Sequence, residues 1–473
     1  MRLPTLLAVS FALLLLSIGP SRALSLPPSQ EFTLDNGLTV LLTPKHDVPL
    51  VAASVVVRGG ALVDPPGKEG SMQLLAELLG KGAGERDARA FVNAVADVGG
   101  ELSFSASTEA LHGQASFLAD DAALMLELLS DALQRPALAQ GEFDKLRERA
   151  IQSLAALKDG DPRALLDVYG NAWLFRDHPY GRPVHGSEAS LAALTLDDLR
   201  ALHRSRIGAD RAILSLAGDF EPEAMRRAVT AAFGSWHKAE GEPPEVPTAV
   251  RPQGPRVLLV DKPGATQSYF WIGTLGAAAH DPASAGQDLV QTLFGGRFTS
   301  MLNAELRVKS GLTYGARAEL ERLSRPGAAA WYSFTRTDAT ERAIDLGLEV
   351  QERLHHQTVK EDDLQSARRY VIGQFAPEYE THGQIADALA MLALYGQPRE
   401  RIERYTEEIA AVGPAAFAAA RAVFPQGRDY AMVVIGDGEK IASTLSKYGP
   451  VTRMRITDPA FSPPPADGNR PTR

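Results

Sequence analysis

The stretch from Gly70 to Gly82 holds the polar side chains whose spacing comes nearest to that of a reaction centre. Leu74, Leu75, Leu78 and Leu79 recur at helical spacing, and Gly80 and Gly82 close the pattern, so the stretch is predicted to be a short helix. Gln73 and Glu77 then stand one turn apart, with Ala76 between them. At that spacing the two side chains either hydrogen-bond to each other on a polar face or line a cleft and touch a bound molecule. As chemistry the set is thin. The Gln73 amide is neutral and a poor metal ligand, Ala76 cannot accept a proton, and Glu77 is one carboxylate where a zinc site needs at least three ligands.

The rest of the chain supplies no replacement. Its ten histidines are His46, His112, His178, His185, His203, His237, His280, His355, His356 and His382, and none forms an i, i+4 pair with another. His355 and His356 are neighbours and point to different faces of a helix. His178, in Asp177-His178-Pro179-Tyr180, reads as a structural hydrogen bond rather than a metal ligand. Cysteine is absent, which excludes thiol nucleophiles, zinc knuckles and a lipidated cysteine. There is no G-x-S-x-G elbow, no P-loop and no G-x-G-x-x-G after a strand. A formal charge of −9 argues against nucleic acid, whose binding needs a basic surface.

The elements that must position any site follow from patterning. The chain has 473 residues, 45% of them hydrophobic and 23% charged, which is the balance of a globular protein large enough for several domains. Arg2, the apolar run Leu6 to Ile18 and Ser21-Arg22-Ala23 read as a signal peptide cleaved after Ala23. The mature chain is then exported, with a Gram-negative periplasm as its expected home, and no later stretch is apolar enough to span a bilayer. Residues 24–30 read as a loose leader. Phe32 to Leu42 is a hairpin around Asp35-Asn36-Gly37, and Val51 to Val57 is a buried strand. Helices are expected at 88–98, 120–132, 140–158, 194–207 and 222–233, and strands at 102–107, 111–117 and 212–217.

Residues 236–255 are polar and proline-rich and read as a linker. Beyond it the pattern restarts. Val257 to Val260 and Gln267 to Thr274 resemble the opening strands, helices follow at 283–293, 340–354, 360–375 and 384–394, and Tyr430 to Asp437 echoes Arg211 to Asp219. This is an internal duplication. The fold class is α+β, with two homologous halves over residues 24–235 and 256–460, each a mainly antiparallel sheet packed by helices. The tail 461–473, with three successive prolines, reads as disordered.

Several ordered motifs carry a family resemblance. They are Gly59-Gly60-Ala61, Asp64 to Gly70, Lys81-Gly82, Asp177 to Pro183, Leu194 to Leu199, Gly295 to Arg307 and Gly311 to Tyr314. Together they resemble the pitrilysin/insulinase family of zinc metallopeptidases over nearly the whole mature chain. In that family the first helix carries H-x-x-E-H, two imidazoles sharing a zinc and a glutamate that takes a proton from metal-bound water. The resemblance lays those positions on Gln73, Ala76 and Glu77. The remaining zinc-ligand position falls at Ser153 or Leu154, neither a carboxylate. It implies, too, that Arg307 and Tyr314 reach from the second half towards the scissile carbonyl, and that Gly295-Gly296 is a flexible loop that handles substrate.

These residues imply a non-catalytic, substrate-binding subunit, similar to the alpha-type subunits of processing peptidases. Its zinc is expected in a paralogous partner within a heterodimer acting on peptides, and this chain would bind no metal of its own. Two alternatives stay open: an inactive binding or scaffold protein of the same fold, and an active peptidase with an unorthodox metal site.

Overall fold

The computed structural model describes residues 25–463, so the expected signal peptide and the end of the tail lie outside the described residues. Two sheets organise the chain. The first is built from β1 (Gln30–Thr33), β2 (Thr39–Pro44), β3 (Leu50–Arg58), β4 (Glu101–Ala106), β5 (Ala110–Leu118) and β6 (Ala212–Gly218), in the order β1-β2-β6-β3-β5-β4. The second contains β7 (Arg256–Asp261), β8 (Gln267–Leu275), β9 (Ala277–Ala278), β10 (Ala316–Leu323), β11 (Pro326–Arg336), β12 (Ala431–Gly436) and β13 (Val451–Arg455), in the order β13-β7-β12-β8-β11-β10-β9.

The duplication is visible in the pairing. In each half one parallel ladder, β2 with β6 or β7 with β12, leads into an antiparallel run of three further strands. The halves differ at their edges, where the N-terminal β1 closes one sheet and the C-terminal β13 closes the other.

The helices follow the same repeat. The first half has α1 (Ser71–Leu79), α2 (Ala88–Ala96), α3 (Ala122–Gln134), α4 (Gln140–Gly160), α5 (Leu166–Phe175), α6 (Leu196–Arg206) and α7 (Pro222–Phe233). The second has α8 (Ser284–Gln291), α9 (Thr340–His356), α10 (Glu361–Phe375), α11 (His382–Leu394), α12 (Pro414–Ala420) and α13 (Gly438–Leu445). Capping is local and legible: Thr195 and Asp198 form a reciprocal capping box on α6, as do Thr381 and Gln384 on α11.

The halves are tied by more than a linker, because each lends a helix to the other's sheet. Helix α5 lies on β8 and β12 of the second sheet, and its repeat equivalent α11 lies on β3 and β6 of the first. Strand β3 is therefore buried along nearly its whole length, the mark of a strand covered on both faces. On α5, Gly170 lets the backbone meet the Trp271 indole, since a Cβ there would sit 2.6 Å from ring atoms. On α11, Asp387 accepts a hydrogen bond from Ser54 Oγ at 3.0 Å, and His382 sits 2.8 Å from Asp47.

Both ends of the described residues are packed onto the two halves. The leader read as loose is fixed: Leu26 is buried with Phe375 and Ile385 of the second half, and Arg399 donates to its carbonyl at 2.9 Å. The start of the tail read as disordered is also packed, with Phe461 edge-on to Tyr169 at 4.9 Å and Lys158 over its ring at 5.1 Å. Trp236, at the head of the proline-rich segment, is fully buried against Phe233. In each case one large apolar side chain outweighs a polar or proline-rich neighbourhood, because its burial is worth about 1.5–3 kcal/mol.

Candidate functional site

Helix α1 is set by its entry. Asp64 accepts hydrogen bonds from the Gly70 and Met72 amides at 2.8 and 2.9 Å, filling two of the open donors of the first turn. Burial pushes the Asp64 carboxyl up to about 7, against the pull of those amides and of Arg182. Gly70 has φ 91°, and a Cβ there would meet the Gly186 backbone at 2.8 Å, so only glycine fits this entry.

From this start, α1 turns Gln73 and Glu77 towards a cavity of about 690 Å³ between the two halves. The cavity is also lined by Arg149, Ser153 and Leu154 of α4, Asp167 of α5, Glu321 of β10 and Phe461. The structure therefore gathers the expected motif positions, Gln73 and Glu77 with Ser153 and Leu154, on one wall. Ala76 is fully buried in the core of the first half and does not line the cavity.

Gln73 and Glu77 on that wall are engaged from within the protein. Gln73 donates to Glu77 at 2.9 Å and accepts from the Ala106 amide on β4 at 2.8 Å. The second Glu77 oxygen takes Arg149 Nη2 at 2.9 Å. The i, i+4 hydrogen bond and the cleft-lining position, read from sequence as alternatives, thus hold together. Arg149 is the residue the sequence reading missed. It stands one turn before Ser153, so helical spacing alone could have brought it to the same face.

These residues do not fit a zinc ion. The one carboxylate on this wall, Glu77, is engaged by an amide and a guanidinium, among the described residues no imidazole is hydrogen-bonded to it, and Arg149 already brings a positive charge to the place. Among the described residues no group of three or more His, Asp or Glu could hold a metal. His178 has the structural role expected of it, with Nδ1 accepting from the Tyr180 amide at 3.1 Å and Nε2 facing the Pro247 carbonyl at 3.0 Å.

Across the cavity the lining is acidic. Burial pushes the Glu321 carboxyl up to about 7, helped by Asp167 and Glu109 and opposed by the Ala328 amide. Burial and Glu319 push Asp167 up to about 6. Behind them Glu109 locks the halves together. It accepts from Tyr180 Oη at 2.5 Å and from the Ser324 amide and hydroxyl at 2.8 and 3.0 Å.

Arg307 and Tyr314 come together at a separate place. Arg307 lies in a π-helical turn over Ala304–Lys309, the chain reverses at Gly311 with φ 63°, and the Arg307 guanidinium stacks 4.3 Å from the Tyr314 ring centroid. Phe298 lies on the same guanidinium at 4.8 Å. Tyr314 is 76% exposed and Phe298 60% exposed, and neither Arg307 nor Tyr314 lines the cavity. Gly295 and Gly296 are not an open loop. They end a π-helical turn over Thr292–Gly296, and a Cβ on Gly295 would sit 2.3 Å from the Ala318 amide of β10. Close packing explains Gly295 where substrate handling was expected.

Comparison with known proteins agrees with this architecture. Residues 39–188 match the family described as Insulinase (Peptidase family M16), and residues 193–371 match the one described as Peptidase M16 inactive domain. An uncharacterised zinc protease of Mycobacterium leprae is 28% identical over 303 residues, 64% of this chain and 68% of that protein. A probable mitochondrial-processing peptidase subunit beta of Arabidopsis thaliana is 24% identical over 277 residues, 58% of this chain and 51% of that protein. The crystal structure of a peptidase M16 inactive domain from Pseudomonas fluorescens shares the fold, with a TM-score of 0.81 at 19% identity over 86% of this chain and 98% of that one. With two adjoining family matches and the duplicated two-sheet fold, the chain belongs to the insulinase family, peptidase family M16.

Proposed function

We propose that this protein is the non-catalytic, substrate-binding subunit of an exported heterodimeric zinc metallopeptidase that degrades or processes peptides. The observation that carries the reading is the contrast between a motif wall whose polar groups are spent on one another and an Arg307–Tyr314 pair held together but open to solvent. Zinc, with the activated water it supplies, belongs to the paralogous partner. Arg307 offers a fixed cationic fork and Tyr314 an O–H, both suited to a substrate carbonyl oxygen that gains negative charge. The chamber between the halves receives an extended peptide. The name of the Arabidopsis relative, a processing-peptidase subunit, supports a division of labour between chains.

The test measures metal content and peptide hydrolysis of the purified mature chain, alone and with its co-expressed paralogue. The expected result is no stoichiometric zinc and no chelator-sensitive cleavage by the chain alone, with both present in the complex. Chelator-sensitive cleavage by the chain alone would overturn the reading. A complex whose activity is indifferent to Arg307→Ala and Tyr314→Ala would favour a scaffold instead.

A further inference from the structure

The second half contains a cavity of its own, about 410 Å³, which shares no lining residue with the interdomain chamber. Its charged lining is mostly cationic, with Arg297, Lys309, Arg353, Lys360 and Arg421 set against Glu305 and Asp363. Glu305 is already engaged, by Lys309 at 2.8 Å and Arg353 at 3.0 Å. Asp363 is exposed.

Arg421 is the unusual member. It is only 8% exposed, and among the described residues no carboxylate lies within ion-pairing distance of it. One Nη donates to the His355 carbonyl at 3.3 Å, and Nε has no partner. Burial lowers its pKa, with no carboxylate counteracting. Arg297 is half-buried beside it: one Nη donates to Ser366 Oγ at 3.0 Å, its Nε is buried without a partner, and Asp363 offers it a partial counter-charge that Arg421 lacks. A guanidinium taken out of water without a counter-charge is costly to the fold. An anion in the adjoining cavity would offset that cost. Beside the neutral polar groups of Ser300, Gln357 and Thr358, the wall has an apolar part formed by Leu293, Leu354 and Phe417, and a bare inorganic anion would leave that part unused.

We infer that this cavity binds a carboxylate carried next to an apolar group, the chemistry of a peptide's C-terminal residue or of a small aryl-alkanoic acid. The carboxylate meets Arg421 and Arg297, and the apolar group lies against Leu293, Leu354 and Phe417. The inference concerns only this chain's second half and does not depend on the partner or on peptide cleavage.

Calorimetric titration of the full mature chain tests it with four probes: N-acetyl-Ala-Phe with a free C-terminus, its C-terminal amide, 3-phenylpropanoate and inorganic phosphate. The free acid is expected to bind saturably, at least tenfold tighter than the amide and than phosphate. Arg421→Met is expected to lower that affinity tenfold or more without lowering the Tm of the unliganded protein, which a purely structural arginine would do. Arg297→Gln serves as the second variant. If 3-phenylpropanoate binds as tightly as the peptide acid, the source is a small organic acid; if it binds more weakly, a peptide end. Equal binding of acid and amide, phosphate binding as tight as the peptide acid, or unchanged affinity in both variants would overturn the inference.

Discussion

The motif wall of the chamber and the Arg307–Tyr314 pair are built from similar materials and arranged in opposite ways. On the wall, Gln73, Glu77 and Arg149 form a chain of hydrogen bonds that ends on the Ala106 amide. In the pair, the Arg307 guanidinium lies between the faces of Tyr314 and Phe298, and the tyrosine stands in solvent. A hydrogen-bonded network fixes a surface and leaves little polar capacity for a ligand. A stacked cation keeps its donors free while its position is set. The comparison teaches that free polar capacity lies at the Arg307–Tyr314 pair, and that α1 works as a wall.

The largest expected effect is at the Arg307–Tyr314 pair. Arg307→Ala or Tyr314→Ala should reduce kcat of the assembled peptidase by about 100-fold, the loss typical of removing one donor to a developing oxyanion, with zinc content unchanged. Steady-state kinetics of the complex checks this, and single variants within twofold of the parent would erase the contrast.

Next is the helix exchange that shapes the chamber. Gly170→Leu places a side chain where the Trp271 ring lies, and overpacking of this kind costs about 1–3 kcal/mol. A lower urea midpoint is the expected readout, since the crowded helix must leave the second sheet.

A third effect depends on pH. The Glu321 carboxyl is raised from 4.5 to about 7 by burial, so ionising it in the folded state is unfavourable. The cost is absent below the unfolded pKa, grows as pH rises from 4.5 to 7, and is constant above. Glu321→Gln should therefore stabilise the protein by about 3 kcal/mol at pH 8 and by close to nothing at pH 4.5. Paired unfolding curves at the two pH values decide it.

The smallest effect belongs to the wall itself. Arg149 is largely exposed, and such pairs contribute about 0–1 kcal/mol. Arg149→Ala should change stability by about 0.5 kcal/mol or less and leave the activity of the complex unaltered. A tenfold loss of activity would show that the wall touches substrate.

Much of this architecture was written in local pattern. Helix α1 was legible from its leucines and closing glycines, the β1–β2 hairpin from Asn36-Gly37, and the duplication from two strand-Gly-Asp joins. Strands β10 and β11 were not legible. Ala316–Leu323 alternates alanine with charged residues, and Ala328-Ala329-Ala330 is a run of helix formers. Pairing of β11 with β8, and of β10 with β11, overrides that propensity. The exchange of α5 and α11 could not be read either, because helical periodicity gives the face a helix buries and not the sheet that receives it. The site divides in the same way. The loss of the metal ligands is plain at Gln73, Ala76 and Glu77, whereas Glu321 and Asp167 become significant only once folding brings both to one buried cavity.

The central claim is that this chain contributes to proteolysis through a second chain. The most direct measurement is affinity purification of the tagged mature protein from its own host, with mass spectrometry of the co-purifying chains and peptidase assays of the complex and of each separated subunit. The account predicts a stoichiometric partner carrying H-x-x-E-H, with activity in the complex and in neither subunit alone. A chain that purifies alone and metal-free, with no peptidase associated, would contradict it.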